Sequence, residues 1–170
     1  MTDGSILLFP AGDDIGKLIE AWTGGPPHVG ICVDLIFDDT LYKAPGRLID
    51  VSGVRETIVA AAAGVLGAFK VRDPVVAWTE AEKQKALQAA LDYVNARRRY
   101  NILQLVAESI LWPLWKLGLK WDPFKNSKEM VCSTFVAMVY RATGRDPWPG
   151  RDTAEIAPVD FVSNPEWKDA

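Results

Sequence analysis

The chain has 170 residues, of which 49% are apolar and 24% charged, and 22 acidic against 19 basic side chains give a net charge of −3 with the single His neutral. A chain of this size can bury roughly 70% of its unfolded surface, so one domain spanning 1–170 is expected to fold without disulfides or a structural metal. One His (His28) and two distant Cys (Cys32, Cys132), with no C-x-x-C, are too few for a zinc or iron–sulfur site. The mild acidity, with no basic run beyond Arg97, Arg98 and Arg99, leaves no face for a nucleic acid backbone. The expectation is therefore no cofactor, no metal and no nucleic acid partner.

In chain order, Met1-Thr2-Asp3-Gly4-Ser5 carries an acid where a secretory signal carries positive charge, which reads as a cytoplasmic protein with reduced thiols. Ile6-Leu7-Leu8-Phe9 ends at Pro10 as a short strand. Residues 13–23 then place Ile15, Leu18, Ile19 and Trp22 at helical spacing, with Gly24 past the end. The run 28–37 alternates: Val29, Ile31, Val33, Leu35 and Phe37 read as the core face of one strand, with His28, Gly30, Cys32 and Asp34 on the other. Residues 41–44, 47–52 and 68–72 read as further strands, with Asp38-Asp39-Thr40 a turn and Pro45-Gly46 a bend.

Thr79-Glu80-Ala81-Glu82 is a capping box opening a helix through about residue 97, with Ala86, Leu87, Ala90, Leu91 and Val94 inward. The stretch 102–119 is apolar, but Gln104, Glu108, Ser109 and Lys116 dilute it and Pro113 interrupts it, so two kinked helical pieces are expected rather than a bilayer span. Residues 132–143 form a last helix, with Cys132, Phe135, Val136 and Val139 on one stripe and Gly144 as its stop. The fold class is α+β, with an antiparallel, partly closed sheet packed against the helix that carries Cys132.

Cys132 is the candidate nucleophile. It sits in the first turn of its helix, where unpaired N–H groups and the positive end of the helix dipole favour a thiolate. A small buried thiol capping a core stripe is the competing reading. His28 is the one imidazole available as a base, and small Gly30 and Cys32 beside it leave room for another element or a substrate. With a three-residue turn at 38–40, Phe37 pairs with Leu41 and His28 with Asp50. That register places a carboxylate within reach of the ring, with Asp34 as the alternative on the same face. Cys32, on a strand and away from any helix dipole, reads as an inert buried thiol.

Three motifs occur in order: Gly25-Pro26-Pro27-His28-Val29-Gly30-Ile31, then Leu48-Ile49-Asp50-Val51-Ser52-Gly53-Val54-Arg55, then Val131-Cys132-Ser133-Thr134-Phe135-Val136. Together they resemble a circularly permuted papain-like cysteine hydrolase of the NlpC type, a group that includes enzymes like lecithin:retinol acyltransferase. Arg99-Tyr100-Asn101 and Ala157-Pro158-Val159-Asp160-Phe161 are similar to further segments of that family, so the resemblance covers nearly the whole chain. The family acid is often Glu, and here it is Asp50.

The resemblance implies Cys132 as nucleophile, His28 as the base that later protonates the leaving group, Asp50 as the residue orienting the imidazole, and an amide or ester substrate held as a Cys132 thioester. Tyr100 is a candidate cleft residue, with half-buried packing as its other reading. Trp112, Trp115 and Trp121 fall in or beside the apolar stretch, so 102–121 reads either as an acyl pocket or peripheral membrane contact built on Trp112 and Trp115, or as a plain core helix pair. An acyl lipid is the favoured substrate. A cell-wall peptide amide and a non-catalytic module retaining the fold are the alternatives.

Overall fold

A computed structural model describes residues 2–11, 14–33, 35–37, 69–95, 117 and 132–170. These fold as α+β: strand β1 (Ile6–Phe9), helix α1 (Asp14–Thr23), strands β2 (His28–Val33), β3 (Leu35–Phe37) and β4 (Lys70–Pro74), helices α2 (Glu80–Asn95) and α3 (Cys132–Ala142), 3₁₀ turns at Thr153–Glu155 and Pro158–Phe161, and strand β5 (Trp167–Asp169). The strands make one antiparallel sheet in the order β3-β2-β1-β4-β5. The expected strands at 41–44 and 47–52 and the kinked helices of 102–119 lie outside the described residues, apart from Leu117, which is exposed.

Local chemistry explains the helices. At the end of α1, Gly24 adopts φ +71° and donates its N–H to the Glu20 carbonyl at 2.8 Å, which satisfies a carbonyl the helix would otherwise leave open. Thr79 and Glu82 form the expected reciprocal box: the Thr79 N–H donates to Glu82 Oε2 at 2.7 Å and the Glu82 N–H to Thr79 Oγ1 at 3.3 Å. Gly144, at φ +97°, follows α3.

Two strand expectations need correction. Residues 28–37 are not one strand: β2 and β3 pair with each other, Ile31 opposite Phe37, Cys32 opposite Ile36 and Val33 opposite Leu35. Asp34 separates the two strands, and aspartate is depleted in strand interiors and favoured in reversals. Phe37 thus lies opposite Ile31, and β2 is flanked by β1 and β3, so the single-strand register that paired His28 with Asp50 is not the one adopted. The strand expected at 68–72 instead runs 70–74, because Pro74 closes it opposite Trp167, at the strand's end, where a missing N–H does the least harm to the ladder.

β1 and β2 are buried on both faces. Ile6, Leu8, Val29, Ile31 and Val33 face a core cluster with α2 and α3, whereas Leu7, Phe9, Gly30 and Cys32 are buried on the reverse side. A continuous apolar run such as 6–9 is what a doubly covered strand requires. α3 packs against both α2 and β2 and is buried nearly all round, its expected stripe included. Tyr140, edge-on to Trp78 at 5.0 Å and to Trp167 at 4.7 Å, anchors its C-terminal half, and burial pushes that phenol well above its ordinary pKa.

Arg145, just beyond α3, ties this end together. Its Nε donates to Glu82 Oε1 at 2.7 Å and its Nη1 to the Val76 carbonyl at 2.7 Å, while Glu166 Oε1 stands 3.3 Å away. The Arg145 hydrogen bond, followed by that from the Thr79 N–H, lowers the Glu82 carboxyl from 4.5 to about 2. A depressed carboxylate contributes stability above its unfolded pKa and loses it as the pH falls through 4.5 towards 2. Glu82→Gln is therefore expected to cost about 1–2 kcal/mol at pH 7, with the partly exposed position screening the rest, and the gap to wild type should close near pH 2. Urea titrations at pH 7, 4.5 and 2.5 check this, and a gap independent of pH would refute it.

Candidate active site

Cys132 is the first residue of α3 and is fully buried, within the cluster that holds Val29, Ile31, Val33, Ile6 and Leu8. His28 is the first residue of β2, where it pairs with Phe9, and the two rings lie 5.1 Å apart. At 9% exposure the imidazole is nearly enclosed. Both side chains thus belong to the pair of elements, α3 and β2, that pack directly on each other.

Their relation has two parts. Along the sheet, Tyr140 packs on Trp167 beside Pro74, the end of β4 remote from Lys70, and Lys70 is the residue that meets Leu8 near the start of β2. Cys132 begins α3 eight residues before Tyr140, about 12 Å of helix away from that remote end. Across the sheet, antiparallel partners share a face and neighbours alternate, so His28 points with Phe9, Gly30 and Cys32 to the side opposite the cluster of Cys132. The strand alternation therefore sets imidazole and thiol on opposite faces of β2.

Ser133, next to Cys132, is 1% exposed, and its Oγ has no hydrogen-bond partner among the described residues. Cys32 is buried within β2, and neither it nor Cys132 is part of a disulfide. Asp50, Tyr100, Trp112 and Trp115 lie outside the described residues, as does Asp34. Among the described residues, no three His, Cys, Asp or Glu side chains gather into a group able to hold a metal ion. No helix among them is long and apolar enough to cross a membrane.

The C-terminal segment turns out to shape the approach to His28. A Cβ placed on Gly25 would stand 2.4 Å from Val159 Cγ2 and 3.0 Å from Val159 Cα, so the loop leading to His28 lies directly on the 3₁₀ turn Pro158–Phe161 and only glycine fits. That turn is fixed by Asp160, whose Oδ2 accepts from the Ala157 N–H and from Arg151 Nη2, each at 3.0 Å. Beside it a groove of about 660 Å³ opens among Leu8, Pro10, Pro26, Phe69 and Val162, with Glu20 and Lys70 also in its lining. Sequence reasoning missed the groove because its residues come from five separate stretches. The Gly24-Gly25-Pro26-Pro27 run was the one available signal of a close backbone approach.

Comparison of the chain with protein-family models and with curated proteins finds no match.

Proposed function

We propose that this chain is a cysteine hydrolase or acyltransferase of the permuted papain-like, NlpC type, working through a thioester on Cys132, with an acyl lipid or lipid-like amide as substrate. The observation that supports it most is the pairing of elements: a buried thiol at the first residue of α3, packed on the strand that the chain's single His opens. In this reading the Cys132 sulfur attacks the substrate carbonyl while its proton passes to His28, a step that requires the imidazole, set on the other face of β2, to come within hydrogen-bond reach of the thiol. The tetrahedral intermediate collapses to a thioester, and the departing oxygen or nitrogen takes the proton from His28. Water or an amine then attacks the thioester, gives up a proton through His28, and frees the Cys132 thiol. The N–H groups at the start of α3 stabilise the oxyanion. Asp50, as the group orienting the imidazole, rests on the family resemblance alone.

The opposite-face placement of His28 favours a second reading, a binding module of the same fold with an idle pair. The two separate by chemistry at Cys132. In the enzyme, iodoacetamide modifies Cys132 much faster than Cys32 near pH 7, His28→Ala slows it, and intact-mass analysis after incubation with phospholipid finds an acyl adduct on Cys132. Equal rates for the two thiols with no adduct identify the idle module. An adduct formed from peptidoglycan fragments alone makes a peptide amide the substrate.

A further inference from the structure

We propose that Ser133 is a catalytic residue, its hydroxyl donating to the oxygen of the substrate carbonyl as that oxygen becomes an oxyanion at Cys132. This rests on the cysteine hydrolase reading and deepens it by assigning a side-chain donor to the reacting oxygen.

The observation that carries it is a buried hydroxyl without a bond. The other buried Ser and Thr hydroxyls among the described residues are all engaged: Ser5 donates to Asp73 Oδ1 at 2.5 Å, Thr23 to the Ile19 carbonyl at 2.8 Å, Thr134 to the Thr153 carbonyl at 3.4 Å and Thr143 to the Tyr140 carbonyl at 2.7 Å. Ser133, 1% exposed, has no partner for its Oγ. A hydroxyl rotates to meet any acceptor within reach, so one that meets none is a buried donor kept at a cost in stability. Trp78 Nε1 and Arg72 Nε are also unpaired, but their N–H bonds lie in planar groups and cannot turn towards a neighbour.

Position gives this hydroxyl a use. Ser133 is the second residue of α3, an 11-residue helix whose first N–H groups have no carbonyl of the helix to bond. A residue deeper in a helix can donate to the carbonyl four positions back, as Thr23 does in α1, and Ser133 has no such carbonyl within α3. Side chains of a helix lean towards its N-terminus, so the Ser133 hydroxyl stands with those N–H groups over the end of α3, next to the thiol of the preceding residue.

When the Cys132 sulfur bonds to the carbonyl carbon, the C=O π pair moves onto the oxygen and negative charge arises there. Ser133 keeps its proton and supplies a hydrogen bond. On collapse the pair re-forms the C=O bond, the bond to the leaving group breaks, and that group departs with the proton from His28. A donor unsatisfied in the resting protein and satisfied by the oxyanion accelerates the reaction rather than tightening substrate binding.

The test compares the full wild-type chain with Ser133→Ala. In urea unfolding without ligand the variant should be as stable as wild type or more so, because it deletes a polar group that bonds to nothing; a lower midpoint would overturn the proposal by showing that the hydroxyl serves the fold. Octanal adds to the Cys132 thiol as a hemithioacetal bearing the same oxygen, and NMR of its carbonyl carbon should show binding weakened about tenfold by Ser133→Ala. Alkylation of Cys132 by iodoacetamide, which passes through no tetrahedral oxygen, should change by less than about twofold. No octanal adduct in wild type, an adduct of equal strength in the variant, or a loss matched by slower alkylation each overturns the role.

Acylation of Cys132 by phospholipid is scored separately, and Ser133→Ala should slow it about a hundredfold with KM little changed. An octanal adduct that depends on Ser133, with no acylation, removes the hydrolase reading and leaves the carbonyl-oxygen site. Acylation at the wild-type rate in Ser133→Ala removes this role and leaves the hydrolase.

Discussion

Arg72→Met is expected to destabilise the fold by about 3–5 kcal/mol, the cost typical of breaking a buried charged network by removing one partner. The guanidinium is 8% exposed and acts as a clip on the C-terminal segment: Nη1 donates to the Phe161 carbonyl at 2.6 Å and the Asn164 carbonyl at 3.3 Å, and Nη2 to the Trp167 carbonyl. Nε stands 3.3 Å from Asp169 Oδ1, an ion-pair contact without hydrogen-bond alignment. A Met of similar length fills the volume but leaves those carbonyls without the guanidinium, and each buried unpaired polar group costs roughly 1–3 kcal/mol. Arg72→Lys should recover only part of the loss, because one ammonium cannot reproduce the planar fork. Urea unfolding at pH 7 measures both. A loss below about 1 kcal/mol for Arg72→Met would show that the segment is held by its apolar packing and not by the clip. The segment also carries Val159, which lies against Gly25 in the loop leading to His28.

What the sequence made legible was local. The three described helices follow from helical spacing, the Thr79–Glu82 box and the glycines at 24 and 144, all signals contained within a few residues. Partners far apart in sequence were not legible. Nothing near Trp167 announces that three residues there pair with β4, or that Arg72 reaches across some ninety positions to cap Phe161 and Asn164. Register failed for a related reason. The pairing of His28 with Asp50 carried the register of a turn at 38–40 back along 28–37 as one strand, and the pairing of Val33 with Leu35 breaks that continuity.

The site shows the same division. Cys132 at the start of a helix and His28 at the start of a strand could both be read from local pattern, and both stand there. Their mutual orientation was already implicit in the alternation of 28–33, since a helix packed on Val29, Ile31 and Val33 lies opposite the face of His28. The family resemblance expects thiol and imidazole to meet. His28→Ala in the alkylation experiment reads that tension directly, because only a neighbouring imidazole changes the thiol's reactivity.

Trp167→Ala is the other substitution expected to be severe. The indole is 1% exposed and sits among Tyr140 at 4.7 Å, Phe161 at 5.5 Å and Trp148 at 5.7 Å, a cluster joining α3, both sides of the C-terminal segment and the sheet edge. Its Nε1 donates to the Gly4 carbonyl at 3.0 Å, and Gly4, at φ +82°, lies so close to Trp78 that an added Cβ would stand 2.5 Å from Cε2. Truncation to Ala removes the ring from a site whose neighbours come from four elements, so collapse around the cavity is limited and a cost of about 3–5 kcal/mol is expected. Trp167→Phe separates packing from the hydrogen bond: it keeps most of the aromatic contact and loses the Nε1 donor, for an expected cost of about 1–2 kcal/mol. Thermal and urea unfolding of the two variants decide between these contributions. If Phe proves as costly as Ala, the Gly4 hydrogen bond dominates and the aromatic cluster tolerates a hole. If both are mild, β5 is dispensable, and the Arg72 clip alone fixes the segment that shapes the approach to His28.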